Sequence, residues 1–166
     1  MMRIGEGGSP VHGKRAAGIF FTDGKSVLLL KRSDEGDHSN TWALPGGKSK
    51  DGETDINTAI RETKEETGLG SIPGHRLCSV MSHNGRQRFT GFVYKVSSPF
   101  DVKISHEHND WEWVSLKNLG SKELHPKFKE QIPRYLREIG KKIQSFSEWQ
   151  EFRESIDRNS LPDISL

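Results

Sequence analysis

Short apolar runs separated by polar turns predict that most of this chain's strands form hairpins. The predicted strands cover residues 16–22, 26–32, 76–82, 88–96 and 111–116. Asp23-Gly24-Lys25 lies between the first two runs, and His83-Asn84-Gly85 lies between the next two. Both tripeptides are typical of tight hairpin turns. The sequence therefore predicts two antiparallel pairs and one further strand.

A different spacing predicts two helices among these strands. Residues 53–67 contain no Pro or Gly, and Asp51-Gly52 before them and Gly68 after them are start and stop signals. Along this segment a core-facing stripe recurs at helical spacing: Ile56, Ala59, Ile60, Thr63 and Thr67. A second helix is predicted over residues 127–139, beginning or kinking near Pro133. Strands interspersed with helices predict an α+β fold.

Three carboxylates lie on another face of the first predicted helix. Glu62, Glu65 and Glu66 are three and four residues apart, so they are neighbours that repel one another unless a cation lies among them. Such oxygen ligands suit Mg²⁺ or Mn²⁺ better than Zn²⁺. The alternative is that the glutamates are only the solvated face of an amphipathic helix.

The residues around these carboxylates favour a built site. Arg61 can reach back to Glu53 as a bidentate salt bridge and hold the loop before the helix. Gly46 and Gly47 carry no Cβ, so their backbone N–H groups could approach phosphate oxygens closely. With Lys48 beside them, these glycines are predicted to bind substrate.

The stretch from Gly47 to Leu69 resembles the Nudix box, G-x5-E-x7-R-E-U-x-E-E-x-G-U, the signature of the Nudix hydrolases, in which U is a bulky apolar residue. Its invariant positions are matched by Gly47, Glu53, Arg61, Glu62, Glu65, Glu66 and Gly68. The one departure is Thr63, which stands where the family usually has an aliphatic residue and which we expect to pack toward the core. The resemblance implies the Nudix fold over residues 15–140, a mixed β-sheet sandwiched between α-helices (α/β/α).

The resemblance also implies an activity, which is hydrolysis of a diphosphate linkage with Mg²⁺ or Mn²⁺. The metal would be held by Glu62, Glu65 and Glu66, with Gly47 and Glu107 also assigned to its site. Glu107 is our first choice as the base that activates water, because the family often places an extra acidic residue in the loop before a strand carrying a Trp-Val pair. Glu65 or Glu66 could serve instead, and Asp110 is a further alternative. Glu107 could also be an ordinary exposed loop carboxylate.

The substrate is less well defined by the sequence. Trp42 and Phe128 are candidates for stacking on a nucleobase, although core packing is an equal alternative for both. Family sub-signatures for ADP-ribose, diadenosine polyphosphates and coenzyme A are incomplete or missing. A nucleoside or deoxynucleoside triphosphate, cleaved to the monophosphate and pyrophosphate, is therefore the favoured substrate. Alternatives are pyrophosphate or cap removal from the 5′ end of RNA, a nucleotide sugar or dinucleotide substrate, and a nucleotide-sensing module without catalysis.

Composition sets the remaining expectations. The 166 residues suit one domain, and a net charge of +2 is too small to favour nucleic acid by itself. No apolar run is long enough for a membrane span or signal peptide, so we expect a cytoplasmic protein. Residues 1–14, in which glycine is frequent and Ser9-Pro10 interrupts any regular pattern, are predicted to be a flexible arm. Residues 141–166 are predicted to be a helical extension that docks on its own domain or, alternatively, forms a homodimer.

Overall fold

A seven-stranded mixed β-sheet forms the centre of the protein in a computed structural model, which describes residues 14–156. Its strands are β1 (Lys14–Thr22), β2 (Ser26–Arg32), β3 (Trp42–Ala43), β4 (Gly46–Lys48), β5 (His75–Asn84), β6 (Gln87–Lys95) and β7 (His108–Ser115). The sheet order is β3-β2-β1-β6-β5, with β4 paired to β1 and β7 paired to β2. Only the β1–β6 pair is parallel among these, so both predicted hairpins are present within a mixed sheet.

Three α-helices and one short 3-10 helix complete the described chain: α1 (Asp55–Thr67), the 3-10 helix (Leu116–Ser121), α2 (Pro126–Lys141) and α3 (Phe146–Glu154). The predicted start of α1 at Glu53 was two residues early. The Thr54 side chain accepts a hydrogen bond from the Asn57 N–H at 3.2 Å and caps the helix, and left-handed Gly68 (φ 73°) ends it. Pro133 lies inside α2 and does not start it, since Pro126 occupies the first turn.

The helices cover both faces of the sheet, which confirms the expected α/β/α sandwich. Alternate residues of β1 face opposite layers: Phe20 packs toward α2, whereas Ile19 and Phe21 pack on the side of α1. The α2 layer is rich in large side chains, including Tyr135, whose ring stacks on Phe20 at 4.8 Å between centroids. The α1 layer receives from its helix only one fully buried apolar side chain, Ala59.

The C-terminal extension docks on its own domain in the described residues. Phe152 and Ile156 join the core cluster on the α2 side, and the Ser155 hydroxyl donates to the Gly24 carbonyl in the β1–β2 turn at 3.1 Å. Phe146, in contrast, is 73% exposed. The homodimer therefore stays a prediction, with fewer apolar side chains available for it than the sequence suggested. Residues 157–166 of the predicted extension lie outside the described part.

The predicted N-terminal arm falls almost wholly outside the described residues. Its last residue, Lys14, belongs to β1. In the part of the chain that the structure describes, no helix combines the length and the apolarity that crossing a bilayer requires.

The docked extension predicts unequal effects for two phenylalanines of α3. Phe152→Ala should lower the free energy of unfolding by about 3 kcal/mol, because it empties a buried site. Phe146→Ala, at an exposed site on the same helix, should change it by less than about 0.5 kcal/mol. Urea denaturation of both variants measures the difference, and equal effects would show that α3 is not docked in solution.

Candidate active site

A bidentate salt bridge joins Glu53 to Arg61, as the sequence predicted. Arg61 Nε donates to Glu53 Oε2 at 2.7 Å, and its Nη2 donates to Oε1 at 3.0 Å. Nη2 also reaches the Lys48 carbonyl at 3.0 Å, so one guanidinium spans the loop from β4 to α1. Hydrogen bonds from Arg61 and from the Lys50 backbone hold the pKa of Glu53 well below its usual range. The pair is therefore charged and fixed at neutral pH.

The two glycines of β4 are required by close contacts with the protein itself. A Cβ on Gly46 would lie 2.5 Å from the Ala17 carbonyl oxygen, and one on Gly47 would lie 2.4 Å from the carboxyl carbon of Glu62. The Gly46 N–H donates to Glu66 Oε1 at 2.9 Å. We predicted from the sequence that these N–H groups approach phosphate. For Gly46 the structure corrects this prediction, because a carboxylate of α1 occupies its N–H.

Glu66 is buried rather than solvated. Glu66 is only 5% exposed and lies on the inward side of α1, so the alternative of a merely solvated face does not hold for this glutamate. Burial raises its pKa to about 8 despite the hydrogen bond from Gly46, and the negative charges of Glu62 and Glu107 add to the rise. Burial likewise raises the pKa of Glu62, against the attraction of Arg61. These carboxylates share a site in which negative charge is unfavourable without a cation.

Glu107 reaches this site because its loop is tied to the end of α1. The Lys103 N–H donates to the Thr67 carbonyl at 2.8 Å, and the Ser105 N–H donates to the Glu66 carbonyl at 3.3 Å. On the other side, the Glu107 carbonyl accepts from the Ser33 N–H at 3.0 Å. Glu107 is exposed, as expected if it were an ordinary loop carboxylate. Its negative charge nevertheless acts on both Glu62 and Glu66. The loop therefore adds a solvent-accessible carboxylate beside the buried one.

The donor set fits a hard divalent cation, although its side chains point apart in this conformation. Within residues 14–156 no three His, Cys, Asp or Glu side chains converge closely enough to coordinate one ion as they stand. Arg61 Nη1 lies 3.4 Å from Glu62 Oε2 and 3.4 Å from Glu65 Oε1, so it attracts both carboxylates toward itself. Because Glu62 lies one helical turn before both Glu65 and Glu66, side-chain rotation can bring their oxygens to a common ion. Oxygen-only ligands favour Mg²⁺ or Mn²⁺.

Two of the predicted substrate-binding side chains are buried in the core cluster on the α2 side. Trp42 is 7% exposed, and the Lys122 ammonium lies over its ring at 4.6 Å from the centroid. Phe128 is also 7% exposed and contacts Phe20 and Tyr135. Both side chains therefore lie in the core, as the alternative prediction of core packing stated. Lys48 is exposed at the end of β4.

A histidine pair near the site was not assigned from the sequence. The rings of His38 and His125 lie 4.4 Å apart, and Arg32 Nε donates to the Asp37 carbonyl at 3.1 Å within the same loop. Burial lowers the pKa of His125 to about 4, with His38 and Arg32 acting in the same direction. Arg32 also acts on the charge of Glu66, so its guanidinium adjoins the carboxylates, whereas the lowered pKa of His125 leaves that imidazole neutral at pH 7. His38 lies in a loop of mixed polar residues, and such a loop has no periodic pattern from which its contact with His125 could be predicted.

A second network that the sequence did not reveal lies at the other end of α1. The Asp55 carboxylate accepts hydrogen bonds from Arg15, Arg88 and Thr90. Its partners are 33 to 40 residues away along the chain. Only the strand register, which pairs Arg15 with Arg88, brings them together.

Clustered carboxylates on a helix, packed against a glycine strand in an α/β/α sandwich, form a site suited to metal-assisted hydrolysis of phosphorus-containing anhydrides. The family model of the NUDIX domain matches residues 12–137. The chain belongs to the Nudix family, whose members generally need divalent metal ions.

Relatives and solved structures agree with this membership. The chain is 32% identical over 101 residues to the asymmetrical bis(5′-nucleosyl)-tetraphosphatase of Caenorhabditis elegans, covering 57% of this chain and 72% of that protein. It is 27% identical over 99 residues to the CTP pyrophosphohydrolase of Escherichia coli, covering 60% and 73%. The MutT protein of Methanosarcina mazei shares 31% identity at a TM-score of 0.60, covering 76% and 94%. RenU, a Nudix hydrolase of M. smegmatis, shares 25% at a TM-score of 0.67, covering 81% and 89%.

The contact between Gly47 and Glu62 predicts a functional defect without unfolding. Gly47→Ala places a methyl group where the Glu62 carboxylate lies, and that flexible side chain must move away. Activity should fall by about 10- to 100-fold, as when a metal ligand's support is lost, while the free energy of unfolding changes by less than about 1 kcal/mol. Gly120→Ala, where the added Cβ meets nothing within 4 Å, is the matched control. Equal activity in both variants would contradict the assignment of Glu62.

The buried Glu66 predicts a pH-dependent stability of the metal-free protein. Its pKa rises from 4.5 to about 8 on folding, so its contribution favours the folded state below pH 4.5 and is lost as pH rises through 8. In chelator, Glu66→Gln should therefore gain stability relative to the wild type between pH 5 and pH 8.5, by on the order of a few kcal/mol. Urea denaturation at both pH values measures this change. Parallel pH dependences of the two proteins would show that Glu66 is not desolvated.

Proposed function

We propose that this protein hydrolyses a diphosphate linkage in a nucleoside polyphosphate, with a nucleoside or deoxynucleoside triphosphate as the favoured substrate. The products would be the monophosphate and pyrophosphate. The observation that carries the proposal is the buried Glu66, 5% exposed and crowded by Glu62 and Glu107. A site that disfavours its own negative charges gains most from a divalent cation, and the same cation can receive phosphate oxygens.

The carboxylates would act mainly by holding and orienting. Glu62, Glu65 and Glu66 would bind Mg²⁺ or Mn²⁺. The ion would neutralise negative charge on the phosphate oxygens while water attacks phosphorus and the P–O bond of the diphosphate linkage breaks. The salt bridge from Arg61 to Glu53 fixes the loop between β4 and α1, so the ligands keep their places relative to Gly47. Lys48, exposed beside the glycines, is available to a distal phosphate.

Glu107 would take the proton from the attacking water. It is exposed, so water can reach it, and it lies near enough to Glu62 and Glu66 for its charge to raise the pKa of both. Glu66 is less suited to this role because its Oε1 is occupied by the Gly46 N–H. Glu65, the exposed residue directly before Glu66 on α1, remains the alternative base.

A dinucleoside tetraphosphate is a second candidate substrate. Two observations favour it: the relatives named above include an asymmetrical bis(5′-nucleosyl)-tetraphosphatase, and the guanidinium of Arg32 adjoins the carboxylates. Arg32 donates its Nε–H to the Asp37 backbone carbonyl rather than to a carboxylate, and the neutral His125 ring beside His38 can add a hydrogen bond. Additional phosphates beyond the cleaved linkage would supply the anionic partner that these side chains can bind.

A substrate panel tests the proposal. It comprises nucleoside triphosphates, deoxynucleoside triphosphates and their oxidised forms, dinucleoside tetraphosphates, nucleotide sugars, ADP-ribose and 5′-triphosphate RNA, each with Mg²⁺ or Mn²⁺. Glu107→Gln should lower kcat by about 100-fold with little change in KM, as expected for loss of a general base. Glu130→Gln, an exposed carboxylate on α2, should match the wild type.

The outcomes separate the candidates. Triphosphate turnover that depends on Glu107 supports the favoured substrate, whereas preference for the tetraphosphate or for RNA would replace it. Full activity of Glu107→Gln would show that Glu107 is not the general base and would assign that role to Glu65 or Glu66. Nucleotide binding with no turnover of any panel member would indicate the sensing module instead.

A further inference from the structure

The first residue of α1 carries a carboxylate bound by three side chains from two strands. Arg15 Nη1 donates to Asp55 Oδ1 at 2.7 Å, Arg88 Nη2 lies 2.9 Å from both Asp55 oxygens, and the Thr90 hydroxyl donates to Oδ2 at 2.8 Å. Burial opposes its charge, yet these hydrogen bonds from Thr90, Arg88 and Arg15 hold the pKa of Asp55 below its usual value. Asp55 is therefore ionised and held at the junction of β1, β6 and α1.

The same arginine also fixes the loop that leads into the helix. Arg15 Nη2 donates to the Glu53 carbonyl at 2.7 Å, and the Arg15 carbonyl accepts from the Ser49 N–H at 2.8 Å. Arg15 thus contacts both ends of the segment between β4 and α1. Together with Asp55 it places the start of α1 on the sheet, independently of the pair between Glu53 and Arg61.

Apolar packing cannot supply this orientation alone. The buried residues of α1 are Thr58, Ala59, Thr63, Glu66 and Thr67. Only Ala59 among them is apolar, and Ile56 is partly buried against the same layer, so the fully buried apolar area of the helix is small. Directional, charge-assisted hydrogen bonds at the first turn therefore add an orienting restraint to the apolar contact of Ile56 at that end.

We propose that Asp55, clamped by Arg15 and Arg88, is a positioning residue that sets the orientation of α1 and thereby the affinity of its glutamates for a divalent cation. Asp55 touches neither the metal nor the substrate, and it lies outside the invariant positions of the Nudix box. Loss of the clamp lets the first half of α1 move relative to β4, which displaces Glu62 from its contact with Gly47. The C-terminal half stays tied by the Lys103 and Ser105 N–H groups. The inference rests on the proposed metal-dependent function.

Direct binding of Mn²⁺ without substrate, followed by calorimetry or by the electron spin resonance of free Mn²⁺, tests the clamp. Asp55→Asn should raise the Kd for Mn²⁺ by about 10-fold, as expected when a residue supporting metal ligands is lost. Arg88→Gln should do the same, and the double variant should be no worse than either single one, because both remove one interaction. Asp51→Asn, an exposed carboxylate in the same loop, should bind Mn²⁺ like the wild type.

Each result decides the matter. An unchanged Kd in folded Asp55→Asn, even with a lower unfolding midpoint, would make the clamp merely structural and overturn the proposal. If Asp55→Asn does not fold, Arg15→Lys keeps the charge but cannot serve both Asp55 and the Glu53 carbonyl, and it should weaken Mn²⁺ binding. An unchanged Kd in Arg15→Lys would equally overturn the proposal.

The same measurements distinguish the clamp from the function on which it rests. A wild type that binds no Mn²⁺ would refute the proposed metal site, whereas one that binds Mn²⁺ but cleaves no substrate would refute only the proposed substrates. Hydrogen exchange at the amides of residues 58–61, measured without metal, should be faster in Asp55→Asn than in Asp51→Asn. Equal exchange in the two variants would overturn the clamp whatever the metal result.

Discussion

The hydrogen bond from the Gly46 N–H to the Glu66 carboxylate is the contact on which the site depends. It joins β4 to α1 at a point where the carboxylate is almost fully buried, and burying a charge is costly without compensation. One N–H does not compensate fully, because the pKa of Glu66 stays raised to about 8. The fold therefore stores an unfavourable charge that a proton or a cation relieves.

This contact explains why β4 contains two adjacent glycines, Gly46 and Gly47. Only a strand without side chains can lie against Ala17 on one side and Glu62 on the other. Because both glycines lack a Cβ, the carboxylates of α1 can approach the sheet. Access of a phosphate to the glycine N–H groups is a separate effect. Arg61 completes the arrangement by spanning from Lys48 to Glu53, so the loop cannot move independently of the helix.

The sequence predicted the structural features that depend on residues close together in the chain. It missed the features that depend on contacts between distant segments. The hairpins, α1 with its Gly68 stop and the Glu53–Arg61 pair all follow from local spacing. The early start assigned to α1 arose because the Thr54 cap competes with Asp51-Gly52 as a start signal. The burial of Glu66 depends on how α1 packs on β4, and the core positions of Trp42 and Phe128 depend on the packing of the α2 layer. The partners of Asp55 depend on the strand register between β1 and β6. No spacing within one sequence specifies that register.

Helix α1 illustrates why a catalytic element can be poor in apolar contacts. Thr63, at the position where the family usually has an aliphatic residue, is fully buried as expected, yet its hydroxyl has no hydrogen-bond partner among the described residues. Hydrophobic burial is non-directional and would tolerate small rotations of the helix. Bidentate ion pairs with fixed geometry do not, because a rotation breaks two hydrogen bonds at once. In the proposed metal site, a helix that presents three carboxylates to one ion would thus be better oriented by Arg61, Arg15 and Arg88 than by a larger apolar face.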